Sequence, residues 1–232
     1  MAGNKGDLIS SSTIDNNSKV IFDRTAPSDF TLGNITSLGG NIVVDVWNST
    51  NNNLEVVVPI ENDTTLKSGW VQIRAKIGSN SMEDFGGISE IVDGDILGDK
   101  SLTFSALEVE SITGFNDNET IVFEAILYDR PGNQKTGNES LNRLDIDQTL
   151  PTINYVSYKS NFTDTTLATI GDEITLSLKT SENIQQPSIT ISGNSASVTG
   201  SGTLWNASYI MQESDSDGII PFEISVVNDI RG

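Results

Sequence analysis

The sequence predicts an all-β protein built as two tandem antiparallel β-sandwiches, and three observations lead there. Val71, Ile73, Ala75 and Ile77 alternate with Gln72, Arg74 and Lys76, a period of two that describes a strand with one buried and one wetted face. Gly, Asn and Asp clusters break such runs at roughly 8 to 12 residue intervals, and no long stretch has a helical period. Finally, one junction is written twice. Val20-Ile21-Phe22-Asp23-Arg24-Thr25-Ala26-Pro27 and Leu144-Asp145-Ile146-Asp147-Gln148-Thr149-Leu150-Pro151 both run from an apolar strand end into Asp-x-Thr-x-Pro.

Taken in order, residues 1–22 are expected to be the terminal strand of a preceding repeat. Residues 6–19 are rich in Ser and Asn, and Val20-Ile21-Phe22 is apolar. Asp23 to Pro27 turns the corner, because Pro27 holds its own backbone and that of Ala26 extended. The first sandwich then spans 23–147, with strands at Ile42 to Trp47, Leu54 to Val58, Val71 to Ile77, Leu102 to Ala106 and Ile121 to Leu127. A long hairpin or loop insertion is expected around 78–100, where Gly86-Gly87, Gly94 and Gly98 lie among acidic residues. The second sandwich spans 148–232, with strands at Ile153 to Tyr158, Ile174 to Leu178, Ile189 to Ile191, Trp205 to Met211 and Ile220 to Val226. It is expected to lack its last strand. Asp129-Arg130-Pro131-Gly132 stands before the final strand of the first unit, and Asp229-Ile230-Arg231-Gly232 repeats that pattern.

A strand ending in Asp-x-x-Gly, a further strand, and then Asp-x-Thr-x-Pro opening the next unit resembles the tandem bacterial immunoglobulin-like repeats of cell-surface and adhesin proteins. Gly171-Asp172-Glu173-Ile174-Thr175-Leu176, Trp205-Asn206-Ala207-Ser208-Tyr209 and Asp215-Ser216-Asp217-Gly218-Ile219-Ile220-Pro221-Phe222 add to the likeness. The first unit is longer and has no clear Trp-x-Ala-x-Tyr. The resemblance implies immunoglobulin-like sandwiches and a non-catalytic spacer or stalk in a large exported surface protein, with neighbouring repeats of the same chain as first partners. It also implies an extracellular location, with Met1 as a boundary and any leader upstream. Two other functions stay open: a carbohydrate- or protein-binding module whose contact loops lie at 78–100, and a surface-lattice subunit.

Composition narrows the chemistry. Thirteen Lys and Arg against 32 Asp and Glu give a net charge of -19, which opposes a nucleic-acid or anionic-membrane partner. There is no His and no Cys, so imidazole bases, thiol nucleophiles, Cys/His zinc sites and disulfides are excluded. No apolar run approaches the ~18 residues of a membrane span. Carboxylate pairs suited to glycoside hydrolysis arise by chance among so many acids, and no apolar pocket singles one out.

The acids do suggest calcium. Asp145 and Asp147 sit two apart at a strand end and can face one side of the domain boundary, and with Asp129 they could ligate a cation that takes 6 to 8 oxygens. The plainer reading is that each Asp accepts bonds from its own turn. Asp215-Ser216-Asp217-Gly218 resembles the start of a calcium loop but reads better as an Asp-Gly hairpin turn. Trp205, in phase with Ala207 and Tyr209, is expected in the core, while Trp47 and Trp70 could stack a sugar. Asn-x-Ser/Thr occurs at Asn16, Asn34, Asn48, Asn62, Asn118, Asn138, Asn161 and Asn206, as chance allows in so polar a chain. A sheet edge without its last strand, beside a spare strand at residues 6–22, further predicts self-association by strand exchange.

Overall fold

The alternation from Val71 to Ile77 becomes strand β4 (Trp70–Ile77) at the centre of a sheet in the computed structural model, which describes residues 20, 22–225 and 227–231. Val71, Ile73, Ala75 and Ile77 are buried, Gln72 is buried with them, and Arg74 and Lys76 are only partly so. The same sheet holds β2 (Val46–Asn48), β5 (Glu83–Glu90), β7 (Thr120–Tyr128) and β9 (Leu144–Asp147), in the order β2-β9-β7-β4-β5. β8 (Gln134–Thr136) also pairs with β7. Facing it is a sheet of β1 (Ile35–Leu38), β3 (Asn53–Ile60) and β6 (Gly98–Ser105), in the order β1-β3-β6. Among the described residues these strands pair antiparallel except β2 with β9. Trp47, Leu54, Ile73, Phe123, Leu144 and Ile146 fill the space between the sheets.

The second unit repeats the architecture around its own core of Ile174, Leu176, Leu178, Ile189, Ile191, Trp205 and Ala207. One sheet runs β10 (Ile153–Ser160), β11 (Glu173–Thr180), β15 (Leu204–Ile210), β14 (Ser197–Ser201); the other runs β13 (Asn194–Ser195), β12 (Ser188–Ile191), β16 (Phe222–Ser225). These are the A-B-E-D and C-F orders of an immunoglobulin-type sandwich. In the first unit β9 lies beside β7; among the described residues no strand lies beside β16 on the side away from β12. Trp205 is in the core as expected, its Nε1 donating to the Gly202 carbonyl at 3.0 Å.

Several local expectations change. Residues 78–100 hold β5, which folds back on β4, and the start of β6, because Phe85 packs on Phe104 and Phe123 and so draws the glycine-rich segment onto the sheet. Ile42 to Trp47 is not one strand. Asp45 takes φ 60°, and the chain passes there from the β1 sheet to the β2 sheet, leaving Ile42 and Val44 exposed. Ala106 opens the one-turn helix α1 (Ala106–Glu110) instead of ending a strand. The Ser105-x-x-Glu108 capping box that starts it is legible in the sequence. The expected strand over residues 6–22 lies mostly outside the described residues, and the end of the Ile220 to Val226 run is outside them too. Among the described residues no helix is long and apolar enough to cross a membrane.

Candidate metal centre at the junction of the two units

The two copies of the Asp-x-Thr-x-Pro junction are held in different ways. In the first copy, Asp23 Oδ1 accepts the Thr25 amide at 2.9 Å, the Asx turn that lets a short acid end a strand. In the second copy, Asp117 from the loop before β7 clamps the linker, accepting the Gln148 amide at 2.6 Å and the Thr149 hydroxyl at 3.3 Å. This loop, the ends of β2 and β9, and the turns of the second unit meet around the linker.

Three carboxylates converge there. Asp147 at the end of β9, Glu182 in the β11–β12 loop and Asp229 after β16 each offer an oxygen within 4.8 Å of the others. Asp147 and Asp229 are buried. Arg231 enters from the same side: its guanidinium lies 3.2 Å from Asp145 and 3.5 Å from Asp147, and its amide donates to Asp229 Oδ1 at 2.8 Å. The Arg231 carbonyl accepts from Asn48 Nδ2 at 3.1 Å, so the last described residue is tied into the first unit. The Arg231 guanidinium thus meets Asp145 and Asp147, in a cluster that also holds Glu182 and Asp229.

That imbalance is felt in the acidities. Burial, and then the nearby Asp229, hold the Asp147 carboxyl above its ordinary value of 3.8, against the pull of Arg231. Burial, followed by Asp229 and Asp147, raises Glu182 above 4.5. A carboxyl with a raised folded pKa binds its proton more tightly when folded. The fold therefore gains as pH falls through the folded value, and the gain is complete below the unfolded one. In the absence of divalent cations the melting temperature should accordingly rise between neutral pH and the ordinary carboxylate values. Asp147→Asn combined with Glu182→Gln should flatten the slope. Calorimetry in stepped buffers reads this directly, and a melt that only falls on acidification would contradict it. Glu108, lowered by the Ser105 amide, and Asp215, lowered by the Gln212 amide, act the other way only at lower pH.

The donor set is all oxygen, which suits a hard cation such as calcium. It is not the predicted set of Asp129, Asp145 and Asp147. Asp145 lies at the site's edge, held by Arg231 and by the Thr120 hydroxyl at 2.8 Å. Asp129 is remote: it follows Tyr128, whereas the junction lies at the Thr120 end of the same strand. At about 3.3 Å per residue, β7 separates the two by more than 25 Å. Asp129 is fully buried and its oxygens are taken by its turn, accepting the Gly132 amide at 2.8 Å, the Asn133 amide at 2.7 Å and Asn133 Nδ2 at 2.8 Å. The sequence held a signal for Asp229, because its Asp-x-x-Gly matches that of Asp129. Glu182 carried none.

The other candidates also resolve. Asp215 accepts the Gln212 amide at 2.7 Å and the Tyr209 hydroxyl at 3.1 Å, so it serves a turn. That turn is not a hairpin, since it joins β15 to β16 in the opposite sheet. Trp47 is fully buried, and Trp70 is half-buried and stacked on Tyr128 at 5.2 Å. No exposed pair of Trp offers a sugar platform.

Neither a protein family nor a curated protein sequence matches the chain. Among solved structures it is similar to a chicken TCR at 8% identity and a TM-score of 0.31, over 79% of this chain and 91% of that one. At that score the likeness carries no argument, and the immunoglobulin-type assignment stands on the strand order of the two sheets.

Proposed function

We infer that the chain is a non-catalytic spacer, a pair of immunoglobulin-like units from a tandem repeat array of bacterial surface type, exported and holding a distal binding part away from the cell. The observation that carries this reading is the joint. Asn48, Asp117 and Asp147 of the first unit hold Arg231, Gln148 and Thr149, so the linker is bonded on both sides instead of hanging free. A spacer needs such joints, since units linked through few contacts move relative to each other by default. The surface ion pairs contribute about 1 kcal/mol or less each, so stiffness comes from the set of bonds acting together. Calcium held by Asp147, Glu182 and Asp229 belongs to the same reading, as a cation that links both units. Trp47 and Trp205 are buried and Trp70 is stacked on Tyr128, which favours a spacer over a carbohydrate-binding module.

The lack of Cys makes the test direct. Spin labels at Ser101→Cys in the first unit and Ser201→Cys in the second, both exposed, should give one narrow distance distribution. Arg231→Ala should broaden it. A broad distribution in the parent chain would remove the spacer reading.

A further inference from the structure

We propose that the outer face of the β10-β11-β15-β14 sheet in the second unit binds a linear acidic polysaccharide of the polyuronate class. Strand parity decides what stands on that face. Leu176, Leu178, Trp205 and Ala207 turn inward and are buried, so the residues between them turn out. The cross-strand register sets the outward side chains in rows. Tyr155, Lys179 and Leu204 share one row, and Ser157, Ser177, Asn206 and Thr199 the next. Lys159 and Thr175 begin a third, which Ser208 continues. Neighbours within a row lie about 4.8 Å apart, and successive rows about 6.7 Å.

Charge sets this face apart. The chain has a net charge of -19, yet both lysines of the second unit, Lys159 and Lys179, stand here. The one acid on these four strands is Glu173, opposite Ile210 at an end of β11. Among the described residues neither lysine forms an ion pair. The outward cations of β4 differ: Arg74 is paired with Glu124 and Lys76 with Glu139. Acids elsewhere on the molecule repel an anion at this face only weakly, because charges beyond a Debye length of about 8 Å are largely screened.

The rows fit a sugar chain laid across the strands. Lys179 and Lys159 stand on either side of the Ser157–Ser177 row, four residues apart along the strands or about 13 Å. A polysaccharide on that row meets hydroxyls beneath it and a cation on each flank. Ser177 Oγ donates to Asn206 Oδ1 at 2.7 Å, which orients the amide and leaves its Nδ2 as a donor. Tyr155 and Leu204 flank Lys179 and are 56% and 60% exposed, giving apolar surface for the face of a sugar ring. A polyuronate brings the three matching features together: ring faces, hydroxyls and carboxylates. A bare polyanion has the charge without the ring. This contact uses a flat hydroxyl face and needs no exposed Trp, and it goes beyond the spacer reading without resting on the joint.

Fluorescence anisotropy of an end-labelled oligogalacturonate tests this, with the parent chain titrated in chelator so that no calcium bridges the sugar to the protein's own acids. Anisotropy should rise. Lys159→Glu and Lys179→Glu in one chain should weaken binding by roughly tenfold or more, and Lys159→Arg with Lys179→Arg should retain it. Tyr155→Ala should weaken binding with the salt dependence unchanged, because a stacked ring carries no charge. Lys67→Glu, on the first unit, should change nothing. Lys159, Lys179, Tyr155 and Lys67 are all exposed, so each variant should keep the parent's circular dichroism. Unlabelled polyglutamate should compete far less well than unlabelled oligogalacturonate. No rise with the parent chain, a double Lys→Glu chain that binds as the parent does, an equal loss from Lys67→Glu, or equal competition by polyglutamate would overturn the proposal. The spin-label distances across the joint are read without sugar, so the two readings fail separately.

Discussion

Asp129→Ala should destabilise the first sandwich by about 3 to 5 kcal/mol, by the same amount in calcium and in chelator. The residue is fully buried at the end of β7 and accepts three bonds from its own turn. Alanine would leave the Gly132 and Asn133 amides and the Asn133 side chain without that partner. Gly132 adopts φ 100°, a conformation that few residues tolerate, and the Asp129 bonds help to hold it. The turn also carries Asn133, which reaches Asp23, so loosening it should loosen the entry into the first unit. Urea unfolding of the variant and the parent chain measures the loss. A loss confined to calcium-containing buffer would mean that Asp129 is a ligand after all.

Calcium should raise the melting temperature of the second unit by several degrees or more. A cation that binds only the folded state stabilises by about 2.7 kcal/mol at a hundredfold excess over its Kd, and each kcal/mol moves a domain of this size by roughly 4 to 8 °C. Glu182→Gln or Asp229→Asn should abolish most of the rise, whereas Asp129→Ala should leave it intact, and magnesium should give less because its small, rigid octahedron dehydrates reluctantly. Calcium should also remove the acid-side gain in stability, since it neutralises the charges that protonation would neutralise. Arg231 already offers one cation to Asp147. If calcium causes no shift, that guanidinium is the site's counter-ion and the acids serve the joint alone.

Sequence by itself determined the architecture and the two ends of the joint. Period-two alternation places β4, β7, β11 and β15, because a side chain's face in a strand depends only on its parity. The Asp-x-Thr-x-Pro of Asp23 and the Asp-x-x-Gly of Asp129 mark turns in which Asp bonds its own backbone within a few residues. Those interactions are local, and local chemistry is written in order along the chain. Tertiary structure alone decided which acids meet. Asp129 looked close to Asp145 and Asp147 because a turn joins their strands, yet the length of β7 sets them at opposite ends of the sandwich. Glu182 came to the site from a loop with no motif, since its place follows from where the β11–β12 loop meets the end of β9. The same holds for residues 78–100: glycine and acid residues left a long hairpin and a loop both open, and Phe85 placed a strand there by finding Phe104 and Phe123 across the core. Contacts between residues distant along the chain depend on packing geometry, which no local pattern encodes.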